Sequence, residues 1–133
     1  MTAQITKDSI DLGIVVTDID ASLAFYRDLI GLADDGTMPV PGGMMYRLKC
    51  GTSVVKLISP KRPPANAAAP GGIGGANGYR YFTMFVSNLA EIVAECTAAG
   101  HTIAVPVTEL RPGITIAIVE DPDGNWVEFL QVG

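Results

Sequence analysis

Ser9-Ile10-Asp11-Leu12-Gly13-Ile14-Val15-Val16-Thr17-Asp18, running on through Ile19 to Gly31, is the stretch whose reading decides the fold. Ile10, Leu12, Ile14 and Val16 share one face of an extended strand, which leaves Asp11, Gly13 and Val15 on the other. Asp18 or Asp20 then supplies a helix N-cap. The residues from Ala21 to Ile30 follow at helical spacing, with Leu23, Phe25 or Tyr26, Leu29 and Ile30 as the buried stripe and Gly31 as the stop. Strands are expected around Ala33 to Met38, Met44 to Cys50 and Ser53 to Ser59, punctuated by Pro41-Gly42-Gly43 and Gly51.

The same order of elements then returns. Tyr81 to Asn88 reads as a strand with Phe82, Met84 and Val86 on one face. Asn88 is the expected cap of a helix containing Leu89, Ile92, Val93 and Cys96 and ending at Gly100. Strands follow around Thr102 to Val107, Ile114 to Glu120 and Asn125 to Val132, the last two joined by the tight turn Asp121-Pro122-Asp123-Gly124. Val16-x-Asp18 therefore recurs as Val86-x-Asn88, and Gly31 as Gly100, at a nearly constant spacing of about 70 residues, the mark of an internal duplication. The expected architecture is α+β: one domain over 1–133, made of tandem β-α-β-β-β modules at 9–59 and 79–132. The Pro- and Gly-rich stretch 60–78 reads as a flexible connection without a regular element, able to serve as a flap. No GK[ST] follows its glycines, which excludes a phosphate cradle.

Composition narrows the function. The 133 residues are 48 % hydrophobic, with 15 Gly and 9 Pro, as in a globular chain. A net charge of −5 argues against a nucleic-acid partner. No apolar run suits a membrane span, and Met1 to Asp8 lacks the pattern of a secretory signal, so the cytoplasm is the expected location. Cys50 and Cys96 read as small packing residues rather than a disulfide, and His101, just past a helix stop, as a surface or capping residue.

Val16-x-Asp18-x-x-x-Ser22-x-x-Phe25-Tyr26-x-x-x-x-Gly31-Leu32 resembles the opening signature of the vicinal oxygen chelate superfamily, which contains glyoxalase I, bleomycin-resistance proteins and extradiol dioxygenases. Asp121-Pro122-Asp123-Gly124-Asn125-Trp126-Val127-Glu128-Phe129 is similar to its closing signature. The resemblance implies curled sheets around a small-molecule pocket and a homodimer. Its metal-dependent members take one ligand from the first and one from the last strand of each half. Transferred by position, those places fall on Asp11, Lys56, Tyr81 and Glu128, of which Glu128 alone keeps the expected residue.

Alternation puts all four opposite the helix-facing side chains. An ammonium offers no lone pair to a cation, so Lys56 argues against the usual metal site, and no cofactor is expected. The alternative is a divalent Zn, Fe or Mn ion held by Glu128 with non-standard partners. Three uses remain open for the four residues. They form a self-satisfied ion-pair network, they transfer protons in isomerase- or lyase-type chemistry, or they line a pocket that binds without reaction. For the last use Tyr46, Arg47, Phe85 and Trp126 are the candidate ligand-binding residues, the ligand being a small apolar or aromatic metabolite or antibiotic.

Overall fold

Asp18 starts the first helix, three residues after the first strand ends at Val15. In the computed structural model, which describes residues 1–133, its Oδ1 accepts the backbone N–H groups of Asp20 (3.0 Å) and Ala21 (3.2 Å). It therefore caps α1 (Ile19–Leu23), which follows β1 (Leu12–Val15). The expected regular helix to Ile30 is instead α-helical only to Leu23, and Ala24–Leu29 forms a π segment in which Ile30 N–H donates to the Phe25 carbonyl at 3.0 Å. The wider turn lets Phe25 and Tyr26, neighbours in sequence, both be fully buried. Their rings meet edge to face at 4.8 Å and 87°. Gly31, at φ 91°, ends the segment in the left-handed region open to glycine.

The chain divides into two compact units, Met1–Ala65 and Asn66–Gly133, with the boundary inside the expected connection. In the first unit β2 (Ala33–Val40), β3 (Gly43–Cys50) and β4 (Ser53–Pro60) complete a four-stranded sheet in the order β1-β4-β3-β2. The second contains β5 (Tyr81–Phe85), α2 (Leu89–Ala98), β6 (Ile103–Arg111), β7 (Ile114–Glu120) and β8 (Trp126–Val132), its sheet ordered β5-β8-β7-β6. Each unit is thus the expected β-α-β-β-β module. The first and last strands run parallel in both, a pairing that needs the helical crossover between them.

Alternation sorts the side chains onto two faces. In the first unit Leu48, Val55 and Leu57 are buried on the helix side of the sheet, with Phe25 and Tyr26 completing the core. In the second, Met84, Ala117, Val119, Val127 and Phe129 are buried on the helix side, together with Leu89, Ile92 and Cys96 of α2. Burial pushes the Cys96 thiol up to about 11, so it stays a neutral packing group. The turn before β8 is organised by Asp121, which is buried and accepts the backbone N–H groups of Asp123 (2.9 Å) and Asn125 (2.8 Å) and the Asn125 side chain (3.0 Å). No helix is long and apolar enough to cross a membrane.

Asn88 does not cap as expected. It occupies the N-cap position, but its Nδ2 donates to Glu91 at 3.2 Å, and the Leu89 N–H is taken by Gln131 Oε1 of β8 at 2.9 Å. A long-range amide thus satisfies the first N–H of α2, while the Asn88 side chain makes no cap. Asp18→Ala should therefore cost about 1 kcal/mol of stability, and Asn88→Ala well under half of that. Urea denaturation of the two variants checks the contrast, and equal losses would contradict it.

Candidate functional site

The helix-free face of the first sheet is cationic. β1 and β4 pair with Gly13 beside Lys56, and β3 and β4 with Arg47 opposite Lys56, so these side chains share one face. Asp11, just before β1, accepts Lys7 Nζ at 2.7 Å and the Val54 backbone N–H at 3.0 Å, while Lys56 Nζ lies 3.7 Å from its other oxygen. Lys7, which no sequence motif marks, is thus the tighter partner of Asp11. Its hydrogen bond is the first cause that holds the Asp11 carboxyl below the ordinary 3.8, followed in the same direction by the Val54 amide and the charge of Lys56. On the neighbouring strands Asp35 receives Arg47 Nε at 3.2 Å and Lys49 Nζ at 3.8 Å. Beside them Asp35, Gly36, Thr37, Met38 and Arg47 line a groove of about 280 Å³, formed where the β2–β3 register shifts between Asp34 and Thr37. Tyr46 does not join this face. It pairs with Leu57 and points to the helix side, away from Arg47 and Lys56, because adjacent strand residues face opposite ways.

The helix-free face of the second sheet is apolar and aromatic. Tyr81 pairs with Trp126, Thr83 with Glu128 and Phe85 with Leu130 along the parallel β5–β8 register. Ile116 and Ile118 of β7 stand opposite Leu130 and Glu128 on that face and are buried. Tyr81 and Phe85 are exposed, at 49 % and 72 %. Two carboxylates interrupt this surface: Glu128, whose Oε1 accepts the Thr83 hydroxyl at 2.6 Å, and Glu120, which stands opposite Trp126. Thr83, not Tyr81, is therefore the direct cross-strand partner of Glu128, a role that only the strand register reveals. The equivalent place in the first unit is Gly13, which has no side chain to offer Lys56.

The connection is more ordered than its composition suggests. Gly72–Gly74 forms a 3₁₀ turn, contrary to the expectation of no regular element, because the Arg80 guanidinium gathers the loop from outside. Arg80 donates to the carbonyls of Gly72 (2.6 Å), Ala69 (2.6 Å) and Pro70 (3.4 Å). Gly72 sits at φ 55° directly against the Trp126 indole, where a Cβ would overlap the ring. Trp126 Nε1 in turn donates to Glu120 at 3.3 Å. The loop thus packs on one end of the aromatic face.

Of the four residues transferred to metal-ligand positions, Asp11 and Lys56 meet in the first unit, and Tyr81 and Glu128 share a face in the second. The donor set does not fit a divalent cation. Two ammonium groups occupy the surroundings of Asp11, Glu128 is engaged with a hydroxyl, and no three His, Cys, Asp or Glu side chains come together.

The sequence profile of the Glyoxalase/Bleomycin resistance protein/Dioxygenase superfamily matches residues 8–129, and the chain belongs to that superfamily. No match was found among curated protein sequences. Among solved structures, the chain is similar to a glyoxalase family protein from Bacillus cereus, at 19 % identity and a TM-score of 0.84 over 99 % of this chain and 98 % of that one. It is also similar to an antibiotic-binding protein from a Streptomyces species (18 % identity, TM-score 0.69, 98 % and 100 % covered). A third similar structure is a lactoylglutathione lyase from Agrobacterium tumefaciens (25 % identity, TM-score 0.65, 96 % of each chain covered).

Two tests address these environments. Folding lowers the Asp11 pKa, so its contribution to stability is full above the ordinary carboxyl value and is lost as pH falls through the lower, folded value. The stability gap between the native chain and Asp11→Asn should accordingly shrink once pH drops below about 4. A gap independent of pH would contradict the assigned pairing. Gly72→Ala should displace the loop, shifting Trp126 emission to the red and raising its quenching by acrylamide. An unchanged spectrum would show that the loop does not rest on the indole.

Proposed function

We propose that this protein binds a small, largely apolar or aromatic metabolite or antibiotic on the helix-free face of its second sheet, without a resident metal ion. The observation that carries the reading is the surface itself. Tyr81, Trp126 and Phe85 share this face with Ile116, Ile118 and Leu130, and a hydrogen-bonded carboxylate, Glu128, sits among them, with Glu120 at the edge engaged by the Trp126 indole. Aromatic walls with few polar groups are the general form of a small-molecule site, in which the apolar area supplies affinity and the polar group fixes orientation. The similarity to an antibiotic-binding protein supports the same reading. Because one fold hosts many chemistries, family membership alone does not name the ligand.

A second reading has its own observation. A carboxylate at Glu128, oriented by the Thr83 hydroxyl, suits a general base in isomerase- or lyase-type chemistry, and the resemblance to a lactoylglutathione lyase favours that class. In that reading Lys56, Asp11 and Tyr81 assist proton transfer. A metal-dependent lyase, isomerase or dioxygenase would instead recruit Zn, Fe or Mn at Glu128. We further expect a second copy of the chain as partner, and the two free thiols suit the reducing cytoplasm.

Trp126 is the sole tryptophan, so its emission reports on this face directly. Titration with a panel of aromatic metabolites and antibiotics should give a saturable change for at least one compound, which chromatography then recovers unchanged. Glu128→Gln should weaken that binding about tenfold, the size of one charge-assisted hydrogen bond. Conversion of the compound by the native protein and not by Glu128→Gln would instead establish the catalytic reading. A requirement for added Zn, Fe or Mn would establish the metal-dependent one.

A further inference from the structure

The first sheet carries more positive charge on its helix-free face than folding requires. Arg47 and Lys56 stand directly opposite each other on β3 and β4, an arrangement in which like charges repel. Asp11 and Asp35 offset this only in part, since each is shared by two cations: Lys7 with Lys56, and Lys49 with Arg47. Four cations against two carboxylates leave a surplus on one face of a chain whose net charge is −5. The surplus is also structurally redundant. Without Lys56, Asp11 keeps Lys7 at 2.7 Å, and without Arg47, Asp35 keeps Lys49.

The two residues are also free to act. Arg47 uses only Nε on Asp35, which leaves both terminal nitrogens of its guanidinium without a protein partner. Lys56 reaches Asp11 only at 3.7 Å and is about one-third exposed. Arg47 lines the 280 Å³ groove with Asp35, Gly36, Thr37 and Met38, so its free nitrogens border a space large enough for a small functional group. A planar guanidinium with both terminal nitrogens unused, backed by a partly exposed ammonium, is the chemistry that recognises an anionic oxygen group.

We infer that Arg47 and Lys56 form a binding site for the carboxylate or phosphate group of a small acidic molecule on the first sheet. The inference rests on the reading of this chain as a small-molecule binder, and adds a separate site on the first sheet that selects for acidic molecules. The two residues select for that negative charge, while Lys7 and Lys49 keep the carboxylates paired whether or not ligand is present.

Benzoate and benzamide have the same size and shape and differ in charge, so they isolate the effect. Titration of the ¹⁵N-labelled protein with benzoate should shift the backbone amides of Gly36, Thr37 and Met38 and the Nε–H signal of Arg47 saturably, and benzamide should not. A parallel titration with inorganic phosphate identifies which oxyanion the site prefers. Arg47→Gln and Lys56→Gln should each weaken anion binding about tenfold while unfolding at the native denaturant concentration. Arg47→Lys, which keeps the charge and loses the fork, should also weaken it. Lys61→Gln, at an exposed lysine outside the cluster, should leave affinity unchanged, and added salt should lower it. Equal shifts with benzoate and benzamide would overturn the inference, as would equal losses in Lys61→Gln and Arg47→Gln, or no saturable shift with either anion. Trp126 emission separates the two proposals. Neutral aromatics that perturb Trp126 while neither anion shifts Gly36, Thr37 or Met38 would leave the apolar site standing and remove this one, and the converse pattern would do the reverse.

Discussion

The parallel pairing of first and last strand within each unit is the constraint on which the rest depends. It sets Gly13 beside Lys56 in one sheet and Thr83 beside Glu128 in the other. A slip of one residue in either pair would exchange the two faces, burying Lys56 or Glu128 against the helix and exposing Leu57 or Phe129. Burying an unpaired charge is costly, and so is exposing a large apolar side chain, so the helix side of each sheet enforces the register that the other side uses.

The two units share this frame and differ in what they display. At matching places one has Asp11, Gly13 and Lys56, and the other Tyr81, Thr83 and Glu128. The first arrangement makes a charged face whose carboxylates are shared among several cations. The second makes an apolar face with one hydroxyl–carboxylate pair. The helix-facing side is apolar in both units, as in Leu57 and Phe129, while the other side differs in charge. The loop at Gly72 adds to the second face only, held by Arg80 and fitted against Trp126 by the absence of a Cβ.

Much of the fold was legible because its signals are local. Alternation in Ser9 to Thr17 and Tyr81 to Val86, the cap at Asp18 and the stop at Gly31 each mark an element within a few residues. What failed was non-local. The Asn88 side chain makes no cap, and the first N–H of α2 is instead satisfied by Gln131, a residue of the last strand. The π segment at Ala24–Leu29 answers to the packing of both Phe25 and Tyr26, which no short-range preference specifies. The loop at 72–74 is ordered by Arg80, whose hydrogen bonds reach back as far as Ala69. The site was half legible for the same reason. Alternation placed Lys56, Tyr81 and Glu128 on the helix-free faces, but the partners Lys7 and Thr83 follow from register and from the path of the chain before β1. Tyr46 and Arg47, both candidate ligand-binding residues, are adjacent in β3 and so lie on opposite faces, with Tyr46 on the helix side.

The most direct test of the central claim is a crystal structure of the protein with a bound aromatic ligand, grown with Zn, Fe and Mn present. The account predicts electron density for the ligand against Trp126 on the helix-free face of the second sheet, its polar atom within hydrogen-bond reach of Glu128, and no anomalous signal from a metal. A metal ion bound to Glu128 and bridging to the ligand, or a ligand seated on the helix side of the sheet, would contradict it.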